Sequence, residues 1–385
     1  MTDTDLRKYE DKKASRQGPM DLPFLMIVVL LAGIGLVMMF SASYASAEKL
    51  MDNPAYFVTR QGLFVLAGIA VLLIVSRVNY QLLRALSLPA MGTAVVLLIL
   101  VLFIGTEIKG ARRWIDLGFT SLQPSEIAKI AVIMLFAAMI SARPERLTSR
   151  KAIPAIKGLM PFLLILGLIG ILMALEPHFS GMILVFAVGA VMLFLGGLAW
   201  KWIVGVAAAG VGAMTLLITM TDYARARIDL WHNPWIDPQG GGWQAIQSLY
   251  AIGSGGLFGL GLGQSRQKYL YLPDAHNDFV FSIVCEELGL IGALIVLFLF
   301  MLLILRGYWI AVHSRDKFGS LLVGGVTTLL AIQTFLNVAV VTNLIPVTGI
   351  SMPFFSYGGS SLLIQMTEMG IVLAVSRQMP AREAG

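Results

Sequence analysis

Glu126 and Lys129 are a pair of chemically active residues in a stretch of the sequence that is otherwise largely apolar. Their spacing of three residues brings both side chains to one face of a helix. Ionisable groups inside apolar helices of membrane length are costly and are functional candidates by default. Two interpretations stay open: Glu126 lies at the positive start of its own helix and pairs with Lys129, or Lys129 snorkels towards the membrane surface or faces a polar cavity.

Asp278 is a second candidate, because it follows the polar residues His276 and Asn277 and comes directly before a long apolar run. As a helix N-cap, its carboxylate would satisfy free backbone N–H groups. In a cleft at a membrane surface, the same carboxylate is chemically suited to act as a general base on a hydroxyl group. The residue type and position alone leave both interpretations open.

Three further carboxylates, those of Glu286, Glu287 and Glu368, lie within apolar stretches. Adjacent residues of a helix point about 100° apart, so Glu286 and Glu287 should not form one paired site. Their neighbours are apolar, and Gly289 favours close helix packing. We therefore expect a structural or gating role for this pair. For Glu368, which has no partner nearby in the sequence, we expect a structural role facing the helix bundle.

Two irregular segments accompany these carboxylates. Residues 343–361 place hydroxyl groups and glycines before a helix, which suits an anion, although Ser360 and Ser361 could simply cap that helix. Residues 253–263 contain six glycines, but a dinucleotide fingerprint requires a preceding strand, and none is predicted here. These glycines indicate either plain flexibility or a close approach of the backbone to the bilayer or to a ligand.

The composition places all these residues in a membrane protein. Of 385 residues, 57% are hydrophobic and 13% are charged, whereas a soluble domain has about 45–50% apolar and about 25% charged residues. One crossing needs about 20 apolar residues, so about ten crossings are possible. The single cysteine, Cys285, excludes an intramolecular disulfide, and four histidines leave little room for a histidine-built metal centre.

The sequence predicts an all-α polytopic membrane protein with ten transmembrane helices and a large extracytoplasmic loop, residues 221–278, between helices 7 and 8. The predicted spans are residues 22–43, 61–77, 83–104, 124–142, 158–175, 180–197, 200–220, 279–305, 318–343 and 359–376. Residues 1–21 and 379–385 are predicted cytoplasmic tails of a membrane domain over residues 22–378. The first apolar run ends near an Ala-Ser-Ala sequence at residues 45–47, but it is longer than a secretory core, which favours a retained anchor.

The distribution of positive charge predicts the orientation. With both termini in the cytoplasm, the cytoplasmic segments hold about twice as many Lys and Arg residues as the outer segments. The net charge of +6 then reflects topology and gives no reason to expect nucleic acid as a partner.

Several blocks of this sequence, taken in order, resemble the SEDS family of FtsW, RodA and SpoVE proteins, and the resemblance spans about residues 20–378. The blocks are residues 35–43, 110–116, 123–129, 233–237, 242–244, 272–279 with 286–289, and 353–361. The run at residues 265–268 and the exit of the first helix are closer to FtsW and SpoVE than to RodA. One departure is at residues 176–181, where His178 stands in place of the family's usual aspartate, so a role of that aspartate cannot be carried over.

The resemblance implies a peptidoglycan glycosyltransferase that polymerises lipid II, releases undecaprenyl diphosphate and works with a class B penicillin-binding protein. It implies that Asp278 is catalytic and that Lys129 faces the same cavity. The expected substrate-binding residues are Lys129, Glu126, Arg112, Arg113, Trp114, His276, Asn277, Ser356, Tyr357, Gly358 and Gly359. Other division proteins and membrane lipid are expected partners in the bacterial inner membrane. A divalent cation, magnesium or manganese, could share the task of balancing the diphosphate charge, but no ligand cluster in the sequence proves it.

Two other classes of function remain as alternatives. A lipid II flippase, or a conventional carrier, would also use buried residues such as Lys129 and Glu126, but it should place its unusual residues near the midplane. A non-catalytic scaffold that recruits division proteins would not depend on Asp278.

Overall fold

A computed structural model of the chain describes residues 18–108, 111–148, 152–205 and 228–379, with isolated positions at 208, 210, 212 and 215. Its main elements are the helices α1 (Leu22–Met51), α2 (Tyr56–Val75), α3 (Gln81–Ile104), α4 (Pro124–Ala142), α5 (Glu145–Thr148), α6 (Ala152–Leu175), α7 (Phe179–Leu195), α8 (Trp243–Gly255), α9 (Val280–Val312), α10 (Lys317–Val341) and α11 (Gly359–Ser376). Three short strands, β1 (Thr106–Ile108), β2 (Ala111–Asp116) and β3 (Ser121–Leu122), lie between α3 and α4.

Within the described residues, eight helices are long and apolar enough to span a membrane, and α7 is a shorter apolar helix. The all-α polytopic fold class is therefore confirmed. The predicted seventh span, residues 200–220, begins as a helix over residues 200–205, and most of the rest lies outside the described residues. The count of ten helices, the limits of the large loop and the division into tails and membrane domain stay predictions.

The limits of the predicted spans agree closely with several helices. The spans 124–142 and 359–376 coincide with α4 and α11, and the other described spans differ at their ends. Helix α1 continues eight residues beyond its predicted end, which places Ala45 and Ala47 inside the helix, where both are buried.

The three strands form a small antiparallel sheet in the order β1-β2-β3. Thr106 pairs with Trp114 and Glu107 with Arg112. The sequence does not predict these strands, because runs of three, six and two residues are too short for a periodic pattern.

Helices α4, α10 and α11 form the centre of the bundle. Of the residues in their apolar windows, 67%, 72% and 78% are buried, compared with 17% in α2. Polar side chains within these helices, such as Lys129, Gln333 and Glu368, are therefore buried inside the protein.

Helix α9 is interrupted at Gly289, whose φ of 68° and ψ of −172° are not helical. Only glycine adopts this region of backbone conformation readily. The expectation that Gly289 serves close helix packing was incomplete, since it also ends one helical segment and starts another.

Candidate functional site

The pair Glu126–Lys129 lies in the first turns of α4 and inside the bundle. Pro124 occupies the first helical position, which its fixed φ suits, and Glu126 follows in the positive first turn. Lys129 Nζ lies 2.8 Å from Glu126 Oε2, and both side chains are buried. The predicted ion pair therefore exists, and Lys129 also points to other groups inside the protein.

Helix α10 connects Lys129 to the segment around Asp278 through two amide side chains. Lys129 Nζ donates to Gln333 Oε1 at 3.4 Å, and Gln333 Nε2 donates to the Ser351 carbonyl at 3.1 Å. One turn further along, Asn337 Nδ2 donates to the carbonyl oxygens of Asp278 at 2.8 Å and Ile350 at 2.7 Å.

Gln333 and Asn337 are site residues that the sequence analysis missed. Both are buried, at 3% and 0% exposure, and both lie on the central helix α10. The available signal was two amides one helical turn apart in an apolar span, a spacing that brings them to one face.

Asp278 lies just before α9 and is half-buried. Phe279 is the capping residue of α9, and the cap has no side-chain hydrogen bond, so the interpretation of Asp278 as the N-cap was wrong. The Asp278 carboxylate faces the backbone of the irregular segment, since a β-carbon added at Gly349 would lie 3.4 Å from its Oδ2.

Aromatic side chains surround the backbone next to Asp278. The His276 ring stacks on Phe57 at 4.8 Å between centroids and lies 6.0 Å from the Tyr357 ring. The Tyr357 amide donates to the His276 carbonyl at 2.9 Å. Burial lowers the pKa of His276, although Asp274 opposes this shift, so the imidazole is neutral at physiological pH. Asn277 is half-buried beside it, and its amide donates to the Asp274 carbonyl at 2.9 Å.

Gln61 of α2 holds the segment before α11 in place. Its Nε2 donates to the Ser356 carbonyl at 3.2 Å, and its Oε1 accepts from the Gly358 amide at 3.3 Å. The Ser356 hydroxyl accepts from the Met352 amide at 2.7 Å. Ser356 and Gly358 are thus fixed by the protein, which leaves the half-buried Tyr357 as the more available side chain.

The two serines at the start of α11 do not cap it. The capping residue is Gly358, without a side-chain hydrogen bond. Ser360 Oγ donates to the Ser121 carbonyl at 2.6 Å and so ties the helix to β3. Gly359 packs against the Phe64 ring, because an added β-carbon would lie 2.4 Å from ring atoms.

The three site candidates on β2 point in different directions. Arg112 is exposed and pairs with Glu107 at 3.5 Å. Arg113 is half-buried and donates to the carbonyl oxygens of Glu176 and Pro177 in the turn between α6 and α7. The half-buried Trp114 lies opposite Thr106 in the sheet.

The turn held by Arg113 contains two buried titratable groups. Burial raises the pKa of Glu176 to about 8, although Arg113 acts against this, so its carboxyl group is mostly protonated at neutral pH. Burial, Arg113 and Lys129 lower the pKa of His178 to about 3. His178 lies 3.3 Å from the Gln123 amide nitrogen. His178, which replaces the family's usual aspartate, is therefore a neutral residue near the site.

The structure gives the other carboxylates contacts that the sequence does not indicate. Glu286 and Glu287 are not surrounded by apolar groups alone, because both accept hydrogen bonds from residues 265–268. Glu368 on α11 faces the bundle as expected, but it lies within electrostatic range of Lys129 and Glu126.

No group of three or more His, Cys, Asp or Glu side chains that could hold a metal ion occurs in the part of the chain that the structure describes. Glu126 is already paired with Lys129, and the remaining carboxylates are dispersed. These donors of the described residues do not fit a divalent-cation site.

The fold and site together define a multi-pass helical membrane protein whose central helices enclose charged and amide side chains next to an acidic residue at the helix ends. The family model for the cell cycle proteins FtsW, RodA and SpoVE matches residues 22–380. The chain belongs to this family.

Individual relatives are similar over nearly the whole length. The chain is 41% identical to the probable peptidoglycan glycosyltransferase FtsW of Trichlorobacter lovleyi, over 95% of each protein. It is 40% identical to the stage V sporulation protein E of Bacillus subtilis, over 93% of this chain and 97% of the relative.

Solved structures share the fold. The rod shape determining protein RodA of Thermus thermophilus matches with a TM-score of 0.70 and 28% identity, over 94% of this chain and 97% of that one. A chain from a structure described as a peptidoglycan synthase complex that coordinates polymerisation and crosslinking matches with a TM-score of 0.76 and 29% identity, over 94% and 99%.

Proposed function

We propose that the chain is a peptidoglycan glycosyltransferase that polymerises lipid II into glycan strands during cell division or sporulation. Family membership and the names of its relatives support this activity. The observation that carries the assignment to this site is the arrangement around α10. Asn337 holds the backbone of Asp278, and Gln333 contacts Lys129, so one helix connects the acidic and the basic candidate.

Asp278 acts as the general base. Its carboxylate takes the proton from the 4-hydroxyl of the acceptor sugar, and that oxygen attacks the anomeric carbon of the lipid-linked donor. The bond from this carbon to the diphosphate breaks in the same displacement, which inverts the anomeric centre and releases undecaprenyl diphosphate. The half-buried position of Asp278 suits this role, since it combines access for a substrate with a held backbone.

Cationic groups stabilise the leaving diphosphate. Lys129 is the inner cation, and the exposed Arg112 contributes charge at the surface. Arg113 donates to backbone carbonyl groups and so also shapes the turn between α6 and α7. Glu126 orients Lys129 through their ion pair.

The remaining candidates bind the substrate around these groups. His276, Asn277, Trp114 and Tyr357 offer ring faces and polar edges to the sugars, while Ser356, Gly358 and Gly359 shape the segment that faces them. Apolar grooves between helices accept the polyprenyl chains.

We further propose that the protein lies in the bacterial inner membrane with both termini in the cytoplasm. A class B penicillin-binding protein is its partner for crosslinking. The similarity to a chain of a synthase complex that coordinates polymerisation and crosslinking supports this partner. Other division proteins and membrane lipid complete the expected surroundings.

The test is the substitution Asp278→Asn in the purified protein with its partner, with glycan-strand synthesis from lipid II as the measurement. Loss of a general base should lower the rate by about 10²–10⁴-fold. Asp274→Asn is the matched control, because Asp274 is half-buried in the same turn and has no assigned role. If Asp278→Asn synthesises glycan strands at the rate of the unaltered protein, the assignment of Asp278 as the general base is wrong.

A lipid II flippase is the second candidate, because Glu126, Lys129 and Glu368 place ionisable side chains together inside the central helices, as carriers also require. The two functions differ in product. Proteoliposomes that contain the protein and fluorescent lipid II should form glycan strands when it is a polymerase. A flippase would instead only move the label across the bilayer.

A further inference from the structure

The break at Gly289 divides α9 into two helical parts. Residues 280–288 form a short upper helix that begins next to Asp278, and residues 290–312 form a long lower helix. Because the regular backbone hydrogen bonds are interrupted between them, contacts with other segments must set the angle of the upper helix.

The glycine-rich segment fills this break. The Leu260 and Gly261 amides of this segment donate to the Glu286 and Glu287 carbonyl oxygens at 2.9 and 3.0 Å. In return, the Leu290 and Ile291 amides of α9 donate to the Gly256 and Leu257 carbonyl oxygens at 2.9 and 3.2 Å. Gly259 and Gly289 approach so closely that a β-carbon added at Gly289 would lie 2.3 Å from the Gly259 nitrogen. These glycines permit the close approach of two backbone segments of the same chain.

A buried ion pair then fastens the upper helix from the side. Lys268 Nζ lies 3.0 Å from Glu287 Oε1 and 3.1 Å from Ser41 Oγ of α1, and it donates to the Gly263 carbonyl at 2.6 Å. Ser41 Oγ in turn donates to Glu287 at 2.7 Å. Lys268 is 3% exposed and Glu287 is 1% exposed.

Glu286 binds the same loop through neutral groups. Its carboxylate accepts from Ser265 Oγ at 2.5 Å and from the Arg266 amide at 2.9 Å. The Lys268–Glu287 pair is therefore the charged contact by which the loop and α1 hold the upper helix.

We propose that Lys268 and Glu287 are positioning residues for Asp278, which fix the tilt of the upper helix about the break at Gly289. This inference rests on the proposed function of Asp278. With a rise of 1.5 Å per residue, the start of α9 lies about 14 Å from the break, so a tilt of about 5° moves it by roughly 1 Å. A misplacement of about 1 Å at a reacting group can lower a rate by about 10²-fold.

The test compares Lys268→Met, the double variant Lys268→Met/Glu287→Gln and the control Arg266→Met, all in the full-length protein with its partner. Arg266 is an exposed cation in the same loop, and its backbone contact survives the change. For Lys268→Met we expect kcat of lipid II polymerisation to fall about 10–100-fold, with KM changed less than about threefold. Amide hydrogen exchange should accelerate over residues 280–288 and stay unchanged in α10.

The double variant distinguishes an effect on the position of Asp278 from an effect on folding stability. It removes the uncompensated charge, so thermal stability should recover towards that of the unaltered protein, whereas kcat should stay low because the upper helix is still unfastened. Recovery of kcat together with stability would overturn the proposal, and so would a Lys268→Met variant whose kcat is unchanged. Asp278→Asn is measured in parallel to distinguish the two proposals. If this variant keeps its activity, the assignment of Asp278 as the base is contradicted. Hydrogen exchange in the Lys268 variants still tests whether the ion pair positions the upper helix.

Discussion

Lys129 is a buried cation whose surroundings come from three helices. Glu126 of α4 lies 2.8 Å away, Gln333 of α10 accepts a hydrogen bond, and the Glu368 carboxyl group of α11 lies within electrostatic range. A buried charge needs such compensation, because desolvation without a partner is strongly unfavourable. The arrangement places polar and acidic partners around Lys129 inside the bundle, and Gln333 among them lies on the helix α10 that also holds the Asp278 backbone.

Removing one member of this group should affect folding and activity differently. Lys129→Met leaves Glu126 as an uncompensated buried carboxylate, so we expect it to lower the free energy of unfolding by about 3–5 kcal/mol and to abolish polymerisation. Glu126→Gln added to Lys129→Met should restore most of the stability without restoring activity. Thermal unfolding in detergent and strand synthesis measure the two effects, and a double variant active on lipid II would contradict a role for Lys129 beyond packing.

At the scale of single residues, the sequence was sufficient to select candidate site residues whose charge is unusual among apolar neighbours. Lys129 and Asp278 could be selected because a charge within or beside an apolar run is conspicuous. The signal for Gln333 and Asn337 was weaker, since neutral amides are less conspicuous and their importance depends on which backbone groups they meet. The carbonyl oxygens of Asp278 and Ile350 are brought to Asn337 only by the fold.

At the scale of elements, α9 is long enough to cross a membrane, but its helical backbone is interrupted at Gly289. The long apolar pattern predicted the helix but gave no sign that it divides at Gly289, because one glycine in an apolar run also fits ordinary helix packing. The sheet was not predicted at all, because its strands are too short to give a periodic pattern. In contrast, α4 has a proline at its start, and its limits were predicted correctly.

Gly289 should therefore be far less tolerant of substitution than a glycine in a regular helix. Gly289→Ala forces a side chain onto a backbone with φ of 68° and against Gly259, so we expect a loss of about 3 kcal/mol or more in unfolding free energy. Gly253→Ala is the matched control, because no atom within 4 Å would obstruct its β-carbon. It should be neutral or stabilising by up to about 1 kcal/mol.

Thermal unfolding of the purified variants in detergent provides the comparison. Equal midpoints for the two alanine variants would show that the break at Gly289 does not constrain the fold.

At the scale of the whole molecule, an ion pair and several side-chain hydrogen bonds hold the end of the bundle that lies away from Asp278. Arg306, near the end of α9, pairs with Asp21 at 2.7 Å, and Asp21 also caps α1 by accepting from Phe24 N. Asp316, which caps α10, accepts hydrogen bonds from Tyr80 at 2.7 Å and Gln81 at 2.8 Å. The end that carries the proposed cytoplasmic tails is thus held by side-chain contacts between distant parts of the chain.

The proposed orientation can be tested because the sequence contains a single, buried cysteine. In a Cys285→Ser background, Leu270→Cys introduces a thiol at an exposed position near Asp278, and His313→Cys introduces one in the exposed turn between α9 and α10. A membrane-impermeant maleimide should label position 270 in intact spheroplasts and position 313 only after lysis. The reverse pattern would invert the topology.

The bonds that bridge the break in α9 also constrain how the protein is made. Residues 256–261 leave the ribosome about 30 residues before their partners at 286–291, a delay of about 2–6 s at ordinary rates of synthesis. Backbone N–H and C=O groups without partners are poorly tolerated in the hydrocarbon of a bilayer. The glycine-rich segment must therefore wait in water while the following segment is synthesised, and it can dock only when α9 has begun to insert. Insertion of this helix and completion of the proposed catalytic end would then be a single event in biogenesis.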